Sequence, residues 1–126
     1  MSIKRWFLYN TYSLSGKTVA ITGSTGGIGT ALCEYLAQLK ANLICVDRNT
    51  DKSKRLISNL KNRYPDLNVK HIRLDLADIN NVKDVAASLS ASNIDCLILN
   101  AGIYNVPMFR CTTGYNNIFQ VNFISQ

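Results

Sequence analysis

The sequence predicts an α/β fold: the first half of a doubly wound parallel sheet, strand order 3-2-1-4, truncated before the remaining strands. Three observations carry this. A glycine-rich turn, Thr22-Gly23-Ser24-Thr25-Gly26-Gly27-Ile28-Gly29, joins the apolar run 18–21 to a strongly periodic helical pattern. Four short apolar runs alternate with helical patterns, and crossovers of that length connect parallel strands with a right-handed sense. The fourth run, 94–99, is almost wholly apolar, as a strand covered on both faces should be.

Residues 1–15 carry Trp6, Phe7, Tyr9 and Tyr12 beside Lys4 and Arg5 without a clean period of either kind. They read as an extension, a loosely held arm ahead of the domain formed by 16–126. A sheet edge, a partner subunit and a membrane surface are the other places open to those aromatic rings. The first strand spans about 17–22, and the helix after the turn places Ile28, Ala31, Leu32, Tyr35, Leu36 and Leu39 at helical spacing, a stripe that should cover the sheet. The second strand, 42–47, ends on Asp47. Asn49 or Thr50 can cap a helix ending near Tyr64-Pro65, and the third strand follows at 69–74. Asp78 caps a helix with Ile79, Val82, Val85, Ala86 and Leu89 on one face. After the fourth strand and a loop containing Pro107, a last helix runs from about Thr113, with Tyr115, Ile118, Phe119 and Asn122 on one side.

Composition excludes several classes. The 126 residues make one small domain, and 47% hydrophobic with 17% charged residues is ordinary for a soluble globular chain. No apolar run approaches a membrane span and no leader precedes the first strand, so a cytoplasmic protein is expected. The net charge of +6 gathers in Arg48, Lys52, Lys54, Arg55, Lys61 and Arg63. That segment also turns Leu56, Ile57 and Leu60 inward, and no aromatic residue interleaves with its charges to stack on bases. It reads as a solvated helix face, not a nucleic-acid surface. Cys33, Cys45, Cys96 and Cys111 lack metal-ligand spacing, so no metal is expected. Cys45 and Cys96 fall within strand runs, where cysteine behaves as a small buried hydrophobe.

The turn carries the chemistry. Glycines let backbone N–H groups and the positive end of a helix approach a pyrophosphate that any side chain would block. Asp47 lies eighteen residues after Gly29 at the end of the second strand, where a carboxylate can accept from both hydroxyls of a ribose. A carboxylate there favours NAD, because it repels a 2′-phosphate.

Gly23, Gly27 and Gly29 resemble the Thr-Gly-x-x-x-Gly-x-Gly signature of the short-chain dehydrogenase/reductase family. The spacing Gly23, Gly26, Gly29 also fits the extended, epimerase-like branch. Leu99-Asn100-Ala101-Gly102 resembles the Asn-Asn-Ala-Gly motif of the classical branch, with Leu99 in place of the first asparagine, and decides between the two. The resemblance implies a Rossmann-type fold that binds NAD through Gly23, Ser24, Thr25, Gly27, Ile28, Gly29 and Asp47. Arg48 stands where NADP-using members place an arginine, which keeps NADP open. Asp75-Leu76 matches the acidic position beside the adenine, and Asn100, Ala101 and Gly102 lie across the crevice. Gln120-Val121-Asn122-Phe123 resembles the family's Val-Asn segment, which implies an active-site role for Asn122, and Thr113-Gly114-Tyr115 looks like the retinol-dehydrogenase-like members.

The family's catalytic serine and Tyr-x-x-x-Lys pair are absent from this stretch. None of Tyr9, Tyr12, Tyr35, Tyr64, Tyr104 and Tyr115 has a lysine four residues on, and Ser125 falls too early. The resemblance thus implies the cofactor-binding half of an NAD(P)-dependent oxidoreductase acting on a small alcohol or carbonyl, inactive by itself and homo-oligomeric. A non-catalytic dinucleotide-binding or interaction module is the alternative. The run 94–99 would present an apolar edge that aggregates, dimerises or is completed by further residues.

Overall fold

The computed structural model describes residues 1–126. Helix α1, Ile3–Asn10, comes first, then β1 (Thr18–Thr22), α2 (Gly27–Gln38), β2 (Asn42–Asp47), α3 (Thr50–Arg63), β3 (Val69–Arg73), α4 (Ile79–Ser90) and β4 (Cys96–Ile98). A short helix α5, Asn117–Phe119, continues as a π-helical segment, Gln120–Ile124. The four strands form one parallel sheet in the order β3-β2-β1-β4, with Ala20 opposite Ile44 on one side and Leu97 on the other. No helix is long and apolar enough to cross a membrane.

The core has two layers, which is why β1 and β2 are continuously apolar. Val19, Ile21, Leu43 and Cys45 pack under Cys33 and Ala37 of α2 and Leu56 and Leu60 of α3. Ala20, Ile44 and Val46 face the opposite way, against Leu74, Leu76, Val85 and Val121. Two caps match the sequence reading. The Asn49 side chain accepts from the Lys52 N–H at 3.0 Å, and Asp78 accepts from those of Asn80 and Asn81 at 3.0 and 3.3 Å.

Four local expectations are corrected. The extension contains a helix, begun by the Ser2 side chain accepting from the Arg5 N–H, and its Phe7 ring lies 4.6 Å from that of Tyr35. One inward contact leaves no stripe in the sequence to read. On α2 the buried residues are Gly29, Cys33 and Ala37, while Ile28 and Ala31 face outward. Small residues bring this helix close to the sheet, so the larger side chains flank the contact. Strand β4 is only three residues long, and Cys96, Leu97 and Leu99 are exposed because the strand pairs with β1 alone. The last helix begins at Asn117, and its buried side is Asn117, Gln120, Val121 and Ser125 rather than the aromatic face. Cys33, Cys45 and Cys111 are buried, as small hydrophobic side chains should be.

Candidate dinucleotide-binding site

The site forms where β1 and β4 end side by side. Thr22 Oγ1 accepts from the backbone N–H groups of Asn100 and Ala101 at 3.1 and 3.0 Å. The Asn100 amide donates back to the carbonyls of Thr22 and Gly23, each at 3.1 Å. Four hydrogen bonds therefore lock the Asn-Ala-Gly segment to the start of the glycine-rich turn. Gly23 has φ +69°, and a Cβ there would lie 2.8 Å from Ala101 Cα. Backbone geometry and close approach both demand glycine.

At the other end of the turn, a Cβ on Gly29 would come 2.1 Å from the Gly23 carbonyl oxygen, so α2 could not pack against the turn. Gly27 differs, since a Cβ there would meet nothing within 4 Å. Nothing inside the protein requires that glycine, yet it opens a surface directly over the first turn of α2. Gly26 caps this helix without a side-chain hydrogen bond, so the first N–H groups of α2 have no intrahelical partner. Beside them Ile28 is 74% exposed. A smooth backbone face with free N–H donors at a helix N-terminus is the donor set a pyrophosphate needs.

Asp47 is 4% exposed and faces the turn. Its carboxylate accepts from Ser24 Oγ, from Ser53 Oγ at 3.0 Å, and from the Thr25 N–H and hydroxyl at 3.2 and 3.4 Å. These four donors occupy the lone-pair positions of a carboxylate, so a ribose hydroxyl would take the place of the most distant, the Thr25 hydroxyl. Ser24 is fully buried by the same arrangement, and its hydroxyl serves Asp47. Arg48 projects to solvent. Beneath lie Cys33 and Cys45, both fully buried, and the hydrogen bond they share together with burial raises the Cys33 thiol above the ordinary cysteine range. Cys33 is therefore a protonated structural thiol.

Asp75 is half-buried at the end of β3, its carboxylate accepting from the Ala77 N–H at 3.0 Å. Leu76 turns its side chain into the core, so only its backbone is available to a cofactor. Its carbonyl accepts from Gln120 Nε2 at 3.3 Å and Ser125 Oγ at 2.7 Å, which ties this loop to the last helix. Asn122 sits in the π-helical segment. Its amide accepts from the Ile103 N–H at 2.7 Å and donates to the Ile103 carbonyl at 2.8 Å, holding the loop after β4 with Gly102 alongside.

The structure thus brings together Gly23 with Ala101, Asp47 with Ser24 and Thr25, and Gly102 with Asn122, while Arg48 stands apart. Sequence reasoning missed Ser53 and Gln120. Ser53 shares the inward side of α3 with Leu56 and Leu60, and a polar residue on that side was its signal. Gln120 is buried through bonds to carbonyls distant in sequence, which leave no local trace. No group of three or more His, Cys, Asp or Glu residues could hold a metal ion.

A family model described as short chain dehydrogenase matches residues 17–126. The chain is 37% identical over 116 residues to the short chain dehydrogenase resG of Aspergillus sclerotiorum, covering 90% of this chain and 32% of that protein. A crystal structure from Mycobacterium paratuberculosis superposes with TM-score 0.80 at 29% identity, covering 93% of this chain and 41% of that one. A short-chain dehydrogenase from Sphingobium yanoikuyae in complex with NADPH gives TM-score 0.75 at 26% identity, over 86% of this chain and 43% of that one. The chain spans about a third of the length of the curated relatives it matches.

Proposed function

Since this chain belongs to the short-chain dehydrogenase family, we propose that residues 16–126 are the dinucleotide-binding half of an NAD(P)-dependent oxidoreductase acting on a small alcohol or carbonyl compound. Residues 1–15 are an extension to it. The observation that carries the reading is the open backbone face at Gly27, above unpartnered N–H groups of α2, on a turn whose Gly23 and Gly29 are fixed by packing.

The bound cofactor supplies a nicotinamide that gives or takes hydride. This chain's residues bind and orient it. The α2 N-terminus and the turn from Gly23 to Gly29 receive the pyrophosphate. Asp47 and Thr25 would meet the adenosine ribose, and Asp75-Leu76 would border the adenine. Asn100, Ala101 and Gly102 form the opposite wall, placed by Thr22. Asn122 holds the loop that follows. Asp47 puts a negative charge where a 2′-phosphate would sit, which favours NAD, while the exposed Arg48 keeps NADP in the reading and the Sphingobium neighbour was solved with NADPH. The compartment we assign is the cytoplasm and the assembly a homo-oligomer; the exposed β4 edge is where a second copy or further residues of the protein would pair.

A non-catalytic dinucleotide-binding or interaction module is the second reading. Titration with NADH tests the shared premise: saturable binding supports both readings and its absence refutes both. Nicotinamide-dependent turnover of an alcohol or ketone by the protein then separates them.

A further inference from the structure

We propose that helix α1 is an interfacial anchor that lays this domain on a membrane surface rich in anionic phospholipid. The reasoning starts from what α1 does not bury. Its backbone is well closed: Ser2 caps the N-terminus, and at the other end Asn10 Nδ2 donates to the Trp6 carbonyl at 2.8 Å and Thr11 Oγ1 to that of Phe7 at 2.6 Å. Its side chains are another matter. Phe7 rests on Tyr35, yet Ile3, Trp6 and Tyr9 are 76%, 52% and 74% exposed, and Tyr12 beyond the helix is 88% exposed. Ile3, Trp6 and Tyr9 follow one another at i+3 intervals and share one side of the helix. An ordered, capped helix whose aromatic side is left in water marks an interaction surface.

The charges select the partner. Lys4 and Arg5 are the only charged residues of the helix, and no acidic residue occurs before Glu34. The Arg5 guanidinium lies 5.8 Å from the centre of the Tyr9 ring, so a cation sits among the aromatic side chains. Tryptophan and tyrosine place an apolar ring and a polar edge together, which suits the headgroup level of a bilayer, and neighbouring lysine and arginine reach anionic headgroups from there. At eight residues, about 12 Å, the helix is too short to cross and lies in the plane of the surface. Phe7 against Tyr35 is the contact that orients the domain relative to it.

Trp6 is the only tryptophan in the chain, so intrinsic fluorescence reports directly on this surface. The chain is titrated with vesicles of phosphatidylcholine mixed with phosphatidylserine, and with phosphatidylcholine alone, followed by vesicle flotation. The expected result is a blue shift of Trp6 emission and co-flotation with the mixed vesicles. Binding should weaken about tenfold or more on phosphatidylcholine alone and fall with added salt. The double variant K4E/R5E should lose binding while keeping the thermal unfolding midpoint of the wild type. Should that variant fail to fold, Ile3→Ser, which removes only an exposed side chain, should weaken binding in the same assay. Equal binding to both vesicle types, no binding to either, or an unaltered K4E/R5E overturns the proposal. A Trp6 shift that tracks protein concentration without lipid also overturns it and identifies a second copy as the occupant.

Discussion

Ser53 on α3 donates to the Asp47 carboxylate at 3.0 Å, and the same carboxylate accepts from Ser24 in the glycine-rich turn. A buried charge is tolerated only when hydrogen-bonded, and this one uses its bonds to join the end of β2, the first turn of α3 and the turn itself. The side chain best placed for a ribose is thus also a structural clamp.

Ser53→Ala removes one donor from a buried carboxylate. It should destabilise the fold by about 1.5–3 kcal/mol, the range for a hydrogen bond to a charged group. Ser58→Ala, on the exposed side of the same helix, should stay within about 0.5 kcal/mol. Urea unfolding of the two variants checks this, and equal effects would remove the clamp role from Ser53.

Gly27 and Gly29 should separate binding from folding. Gly27→Val adds a side chain to open space, so the unfolding midpoint should hardly move while the NADH dissociation constant rises about tenfold or more through loss of the close approach. Gly29→Ala forces a Cβ against the Gly23 carbonyl and should cost about 1–3 kcal/mol of stability, as overpacking does. Calorimetric titration and thermal unfolding on both proteins distinguish the two effects.

The Asp47 charge sets cofactor choice in the proposed reading. NAD(H) should bind about tenfold or more tighter than NADP(H), since one like-charge contact at about 4 Å costs about 1 kcal/mol in water and more near a protein surface. Asp47→Asn should narrow that ratio, and Arg48→Ala should weaken NADP(H) alone. A wild-type protein that binds NADP(H) more tightly overturns the preference.

Lys17 and Asp95 give a pH signature. The Lys17 ammonium at 2.9 Å and the Thr18 N–H at 2.8 Å hold the Asp95 carboxyl below the ordinary carboxylate range, and Asp95 in turn raises Lys17. A depressed carboxyl contributes stability that is present above its unfolded pKa and disappears as pH falls through the folded one. The raised lysine contributes below its unfolded pKa and loses this as pH rises through its folded value. Asp95→Asn should therefore lower the midpoint slightly at neutral pH and converge with wild type in strong acid. The pair lies at the surface, so the difference is small and shrinks with salt.

Much of this architecture is legible in the chain. Gly23 and Gly29 announce a tight turn, and Asn49 and Asp78 announce their helices, because each acts on atoms only a few residues away. The apolar runs of β1 and β2 report a sheet covered on both faces. The aromatic side of the last helix misleads for the same reason: periodicity counts hydrophobicity, whereas Gln120 and Ser125 are buried through carbonyls of the loop after β3.

The sequence by itself determined the order of strands, the position of the glycine turn and the family, since these rest on local spacing and on handed crossovers. Only the tertiary structure decided that Ile28 faces outward, that α1 is a helix with its aromatic side in solvent, and that Asp47 turns toward Ser24 and Ser53. Those outcomes depend on which distant groups arrive beside a side chain. A buried polar atom takes whatever partner the packing delivers, and no spacing along the chain encodes that partner.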